Sequence, residues 1–326
     1  MIAAPNEILL AEPADAWRSA FSTAWDVFSA PISGDAGAAV LERERAIADS
    51  ELTLSGAAWE LWRDFTSAAP RASAGIIEFW QQTVGGKAVL ILDGLSLREV
   101  PWLLAGATQH GFTVQRAEAR ATELPSDTTA FAKAIGFATR SKLENNGTAS
   151  PHLPGARTDS HNLPWASCAA SLQSASAVVL WHHCLDALLH QLSGPGDGLR
   201  ALTQKAREHF TSPDFWTFLS QLGKGRTVLI TSDHGYAATG QFADVSDKAQ
   251  AEWLRNTFKS QRFISGAGET DPFLPPLALA LDTASGPHRF VLGRRRWKNA
   301  AGYPTLAHGG LSLLEVAVPF LVLTKN

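Results

Sequence analysis

Leu229-Ile230-Thr231-Ser232-Asp233-His234-Gly235 is a short apolar run that ends in an acid, an imidazole and a glycine. Leu90-Ile91-Leu92-Asp93-Gly94 has the same form earlier in the chain, and Leu306-Ala307-His308-Gly309-Gly310 has it later. Each reads as a strand, or the approach to one, whose end delivers a metal-binding side chain into a turn eased by glycine. A parallel sheet gathers ligands from distant parts of a sequence in this way, at the carboxyl ends of its strands.

The surrounding pattern agrees. From Lys87 onward, short continuous apolar runs alternate with helical stretches. Strands are predicted at Ala88–Leu92, Phe112–Arg116, Ala177–Trp181 and Thr227–Thr231. Helices are predicted at Leu97–Gln109, Ser126–Ala138, Cys184–Leu192 and Gly198–Leu222. Apolar strands separated by helices point to an α/β fold, a mostly parallel sheet covered by helices on both faces. Arg140–Leu163 and Gly235–Pro287 carry no such pattern and read as long connections.

Residues 1–84 read differently. Trp17, Phe21, Trp25 and Phe28 recur every three or four positions, as one helix face would, and further helical stretches follow at Val40–Ser50, Ala57–Phe65 and Ile76–Thr83. The expected organisation is a helical N-terminal segment over 1–84 and a catalytic domain over 85–326. Most of the eleven tryptophans, Trp17, Trp25, Trp59, Trp62 and Trp80 among them, are expected to be packing residues.

Composition excludes several classes. A hydrophobic share of 45% and a charged share of 18% describe a globular chain with a sizeable core. A net charge of −3 argues against broad electrostatic binding of nucleic acid, and the local cluster Arg294, Arg295, Arg296 and Lys298 reads as a solvated turn. Cys168 and Cys184 have no C-x-x-C spacing, so neither a disulfide framework nor a zinc finger is indicated. The first twenty residues lack the basic start and apolar core of a secretion signal, and no run is long enough to span a bilayer. A cytoplasmic protein with no membrane partner is expected, which makes the Asn146-Gly147-Thr148 sequon accidental.

Two further groups complete the candidate chemistry. Asp186 and His190 stand at i and i+4, so a helix places both on one face and they can grip one ion. Leu124-Pro125-Ser126-Asp127-Thr128-Thr129 opens a helix, where free N–H groups and the helix dipole favour a phosphate. A hydroxyl there could act as a nucleophile, or Ser126 or Asp127 could simply cap the helix. Mixed carboxylate and imidazole donors suit zinc or manganese better than calcium or magnesium. No one of Arg98, Arg140 and Arg157 is singled out as a phosphate contact.

With these residues in place, the chain from about Lys87 onward resembles the alkaline phosphatase superfamily and, within it, the PglZ domains. The runs Ile91-Leu92-Asp93-Gly94-Leu95-Ser96, Pro125-Ser126-Asp127-Thr128, His183-Cys184-Leu185-Asp186 through His190, Thr231 through Tyr236, and His308-Gly309-Gly310-Leu311-Ser312 through Pro319 occur in that family's order. The resemblance implies two zinc ions, with Asp93, Thr128, Asp233 and His234 at the one that activates the nucleophile. Asp186, His190 and His308 would hold the other, on the leaving-group side. It also selects Thr128 over Ser126 as the nucleophile, through a phosphothreonine intermediate. Leu189 stands where phosphodiesterase relatives often carry glycine, and the C/S-x-P-x-R run of sulfatases is absent.

The implied function is a metal-dependent phosphodiesterase or nuclease acting on a phosphate ester, nucleotide or nucleic acid, in bacterial phage defence of the BREX type and beside other defence proteins. The alternatives are a metal-stabilised scaffold of a defence complex with little catalysis, and a phosphomonoesterase.

Overall fold

In the computed structural model, residues 5–171, 175–196, 198–241, 244–266, 268, 270–300 and 302–325 are described. Nine strands are defined among them: β1 (Gly86–Leu92), β2 (Phe112–Ala121), β3 (Arg157–His161), β4 (Ala177–His182), β5 (Arg226–Thr231), β6 (Phe263–Ser265), β7 (Ala278–Thr283), β8 (Gly286–Val291) and β9 (Ala317–Lys325). Six form the central sheet in the order β2-β9-β5-β1-β4-β3, and β6-β8-β7 make a small antiparallel sheet. β5, β1, β4 and β3 are parallel neighbours, whereas β9 runs antiparallel to both β5 and β2. The fold is therefore the expected α/β arrangement with a mostly parallel sheet.

Both faces of the sheet are covered, which explains why its strands read as unbroken apolar runs. Ala88, Leu90 and Leu92 pack with residues of the helices Val100–Gln109, Gly198–Thr211 and Pro213–Leu222. Val89 and Ile91 face the helices Ala72–Gln82 and Thr128–Ala134.

Several elements differ from expectation, each for a local reason. β2 runs on to Ala121 because β9 pairs with it along its whole length. The predicted helix Gly198–Leu222 is two helices, broken where Ser212 caps the second and Pro213 takes its first position. The helix after β2 starts at Thr128 and stops at Ala134, capped by the Asp127 side chain on Ala130 N at 2.8 Å. The two stretches read as plain connections hold β3, β6, β7 and the helix Lys248–Phe258.

The N-terminal helices share a core with the rest of the chain. Trp17, Phe21, Trp62 and Phe65 cluster with Leu97, Leu292, Leu311 and Leu314. Trp17 and Trp62 meet edge to face with ring centroids 4.7 Å apart. Charges reinforce the junction. Glu44 is buried and pairs with Arg98 at 2.5 Å and with Arg294, which also approaches Glu51. Glu51 in turn accepts from Leu313 N at 3.1 Å. Breaking one partner out of such a buried network costs about 3–5 kcal/mol, since it leaves a charge without compensation. The supposed solvated turn at 294–298 is thus mostly structural: Arg294 is 3% exposed, Arg295 donates to Leu292 O at 3.0 Å and Arg296 pairs with Asp244. Lys298 alone of the four is exposed.

Candidate active site

The carboxyl ends of β1, β4 and β5 converge on one cleft, and all seven residues singled out from the sequence lie there. Asp93 directly follows β1, and its N–H donates to His182 O at 2.9 Å, prolonging the ladder to β4. Gly94 then turns the chain with φ +76°, a conformation that favours glycine. It also brings the backbone against the next helix, where a Cβ would lie 3.3 Å from Asp186 N. That helix, Cys184–Leu192, carries Asp186 and His190 on one face, with His190 Nε2 3.3 Å from Asp186 Oδ1.

Asp233 and His234 leave the end of β5. Ser232 Oγ donates to Leu92 O at 2.8 Å and Gly94 N donates to Asp233 Oδ1 at 3.1 Å, which locks the β1 and β5 ends together. Gly235 is required by space: a Cβ there would come within 2.2 Å of Leu314 O. His308 enters on the strap that precedes β9, which starts beside the end of β5 and runs antiparallel to it, away from the site. The glycines after His308 do not open backbone toward the cleft. Their N–H groups donate to Ser126 Oγ and Glu315 Oε1 at 3.1 and 3.0 Å, and Cβ atoms would strike Phe263 and Arg262.

Thr128 is the first residue of its helix. Its Oγ1 donates to Asp233 Oδ2 at 2.8 Å and lies 3.5 Å from each carboxylate oxygen of Asp93. His234 Nε2 is 3.4 Å from Asp93 Oδ1 and 3.6 Å from Asp233 Oδ2. His308 Nε2 is 3.8 Å from Asp186 Oδ1, and its ring stacks on His234 with centroids 4.0 Å apart.

This is a dense, dry group of acids. Burial and the neighbouring Asp93 charge push the Asp233 carboxyl up to about 7, and the same two causes raise Asp186. Burial also opposes the charge on Asp93, but His234 and Arg140 overcome it and hold this carboxyl well below its usual range. Burial opposes the His234 proton too, yet Asp233 and Asp93 outweigh it and push His234 up to about 10. Burial and the His234 charge keep His308 well below the ordinary imidazole range.

The donor set fits metal ions. Asp186, His190 and His308 offer one ligand atom each within 4.8 Å of one another, and so do Asp93, Asp186 and His234. His234 Nε2 and Asp186 Oδ1 are buried yet have no hydrogen-bond partner. His234 Nδ1 donates to Gly235 O at 2.9 Å and His308 Nδ1 to Ser126 O at 3.2 Å. Such backbone bonds orient an imidazole so that its other nitrogen faces an ion.

Three participants were not assigned from the sequence. Arg140 pairs with Asp93 and is the one arginine or lysine among the described residues lining the cleft. Trp181 Nε1 donates to Asp93 Oδ2 at 3.2 Å. Ser126, fully buried, ties the start of the Thr128 helix to the His308 strap by donating to Gly310 O at 3.3 Å. Of the other two arginines considered, Arg98 belongs to the buried Glu44 network and Arg157 is exposed at the start of β3. The cleft holds about 410 Å³ beside Thr128, Arg140, Asp186, His190 and His308. A second hollow of about 300 Å³ adjoins it at His190 and His308, walled by Leu189, Phe263 and Leu306.

Comparison with protein families matches residues 142–323, just over half of the chain, to the family described as "BREX system PglZ alkaline phosphatase-like domain". The matched stretch contains Asp186, His190, Asp233, His234 and His308, and begins after Asp93, Thr128 and Arg140. No curated protein matches the sequence. Among solved structures, murine ectonucleotide pyrophosphatase/phosphodiesterase 5 is similar at 9% identity over 74% of this chain and 88% of its own, with a TM-score of 0.39. An inactive form of that protein in complex with AMP gives 9% identity over the same shares and a TM-score of 0.41. Phosphonoacetate hydrolase from Sinorhizobium meliloti, in complex with phosphonoacetate, is similar at 13% identity over 73% of this chain and 89% of its own, with a TM-score of 0.39.

Proposed function

This chain belongs to the BREX-system PglZ family of alkaline phosphatase-like domains, and from that premise we propose that it is a metal-dependent phosphodiesterase with Thr128 as its nucleophile. The observation that carries the reading is the meeting of one threonine hydroxyl with three carboxylates and three imidazoles at the ends of parallel strands. Asp93, Thr128, Asp233 and His234 would hold one divalent cation, and Asp186, His190 and His308 the other. Zinc suits these donors, with manganese as the substitute. When bound, the cations would supply the positive charge that favours ionised Thr128 and neutralises the phosphoryl oxygens.

The chain's own residues do the positioning. Asp233 Oδ2 accepts the Thr128 hydroxyl hydrogen bond and aims Oγ1 into the cleft. Arg140 offers a guanidinium to the phosphoryl oxygens. Oγ1 passes its proton to Asp233 Oδ2 and forms a bond to phosphorus as the bond from phosphorus to the leaving oxygen breaks, that oxygen taking a proton from solvent and the phosphoryl group staying on Thr128. Water then attacks the phosphorus from the opposite side and gives a proton to solvent, the bond to Oγ1 breaks, and Thr128 recovers its proton from Asp233. Phosphoryl transfer needs mainly positioning and charge neutralisation, so this set is sufficient without a dedicated general acid.

A diester is favoured over a monoester by the hollow beside His190 and His308, whose apolar walls offer room for a substituent on the leaving oxygen. Membership of a BREX-system family supports a nucleotide or nucleic-acid substrate in phage defence, beside other defence proteins. Purified protein supplied with zinc should cleave bis-p-nitrophenyl phosphate faster than the monoester, and Thr128→Ala should abolish both reactions while the protein stays folded. Equal rates for Thr128→Ala and the parent would overturn the nucleophile. Stabilisation by zinc with no cleavage of either ester would favour the scaffold reading instead.

A further inference from the structure

A second group of metal-ligating side chains lies outside this cleft. His161 ends β3, His182 ends β4, and the two are register partners in adjacent parallel strands. Cys168 comes from the intervening helix Trp165–Ser171. One ligand atom from each lies within 4.8 Å of the others. Cys168 Sγ is 3.8 Å from His161 Nδ1, and the two imidazole rings stand perpendicular with centroids 5.6 Å apart.

We propose that His161, Cys168 and His182 form a structural zinc site, separate from the catalytic cleft. The last two side chains of β4 part company at its end. Trp181 turns toward Asp93, while His182 turns the other way and stacks on Trp165 with centroids 4.0 Å apart.

The argument rests on His182. Its side chain is 2% exposed. Nε2 must carry the proton, because it meets the carbonyl oxygen of Leu163 at 2.8 Å and that oxygen only accepts. Nδ1 is then a bare lone pair, buried and with no hydrogen-bond partner. An unsatisfied buried acceptor costs about 1–3 kcal/mol, and simple packing would not retain one. An imidazole held by one N–H to a backbone carbonyl, with its second nitrogen left bare in a ring that lies beside a cysteine and a second histidine, suits the presentation of histidine to zinc. One thiolate and two imidazoles are zinc donors, and the 3.8 Å between Cys168 Sγ and His161 Nδ1 lies near the ligand spacing of a tetrahedral shell with bonds of about 2.0–2.3 Å. His161 is half-exposed, which leaves the fourth position to water.

Such an ion would do a definite job. β3 is an edge strand paired only with β4, and the helix Trp165–Ser171 follows it. Zinc would pin both to the end of β4. From there the chain passes through His183 into the helix that carries Asp186 and His190, so the ion steadies one wall of the cleft without touching substrate.

Cobalt distinguishes the two sites, because the cleft offers only oxygen and nitrogen donors. Chelator-treated full chain, kept reduced, is titrated with cobalt(II). The proposal requires a thiolate-to-cobalt charge-transfer band in the near ultraviolet that saturates at one ion per chain and is lost on adding zinc. Cys168→Ser should remove that band and leave the visible bands of cobalt in the cleft; Cys184→Ser should leave both. If Cys168→Ser fails to fold, His161→Gln at the half-exposed position should shift the band to higher cobalt. No thiolate band in the parent protein, or a band unmoved by Cys168→Ser or His161→Gln, overturns the site. Neither outcome depends on Thr128 or on ester cleavage, so failure here and failure of the proposed function are distinguishable.

Discussion

Replacing Ser126 with alanine should weaken one half of the candidate site while sparing Thr128, the proposed nucleophile, two residues away. Ser126 Oγ accepts from Gly309 N at 3.1 Å and donates to Gly310 O at 3.3 Å. Its own carbonyl accepts from His308 Nδ1 at 3.2 Å. Alanine keeps that last bond but unties the two loops that make it. An N–H and a C=O are left facing each other across a dry gap, at about 1–3 kcal/mol for each group left without a partner. A loss of about 3 kcal/mol in folding stability is therefore expected, on the order of a few hydrogen bonds. Loss of the groups that orient a ligand typically lowers metal affinity about 10–100-fold, and here the loss should fall on the ion held with His308. Zinc titration against a chromophoric chelator, followed by diesterase assays at saturating zinc, reads both effects. The weaker of two zinc affinities should drop while kcat at saturation stays within a few fold of the parent. Unchanged zinc affinities would refute the role of Ser126 as a tie. Activity that saturating zinc cannot restore would refute Thr128 as nucleophile, because Ser126 would then carry the chemistry.

Further outcomes follow from the buried charges. The Asp233 and Asp93 carboxylates push His234 up to about 10, so at pH 7.5 zinc must displace the His234 proton. Affinity should rise with pH by about tenfold per unit for each proton displaced, and calorimetry in buffers of different ionisation enthalpy should show that release; binding without it would contradict the protonation pattern. Glu99 is buried, hydrogen-bonded to Tyr236 Oη at 2.8 Å and raised to about 7 from 4.5 chiefly by burial. Its folded form therefore holds a proton that the unfolded chain loses, so stability should fall as pH rises from 4.5 to 7. That shift amounts to about 3 kcal/mol, and Glu99→Gln should remove most of it: the variant should gain on the parent between pH 5 and pH 8 in denaturant unfolding. A constant difference across that range would contradict the assignment.

The candidate site was largely legible because its chemistry is written in compact signals. Asp233 and His234 are adjacent, Asp186 and His190 are one helical turn apart, and each group follows an apolar run long enough to be a buried strand. The features that local sequence does not carry depend on partners far away in sequence. β3, Arg-Thr-Asp-Ser-His, has no apolar alternation, and its strand form comes from pairing with β4. The reversal of β9 shows only in its pairing with β2 and β5, which hydropathy does not record. Glu44, Arg98 and Arg294 are charged and so read as surface residues, yet they are buried because they meet each other across as many as 250 positions. Ser212-Pro213 is a different case: its helix-starting signal stands in the sequence, inside a stretch whose helical period runs through it. Arg140 could not be told from Arg98 or Arg157 by residue type alone, and only the folded loop brings it to Asp93.

The central claim is that these acids and imidazoles hold a pair of ions beside Thr128. Anomalous diffraction at the zinc edge from crystals of the zinc-loaded chain tests it directly. Two peaks roughly 4 Å apart should appear, one flanked by Asp93, Asp233 and His234 with Thr128 Oγ1 in reach, the other by Asp186, His190 and His308. A map with no peak in this cleft, with His234 Nε2 and Asp186 Oδ1 contacting only water, would contradict the account.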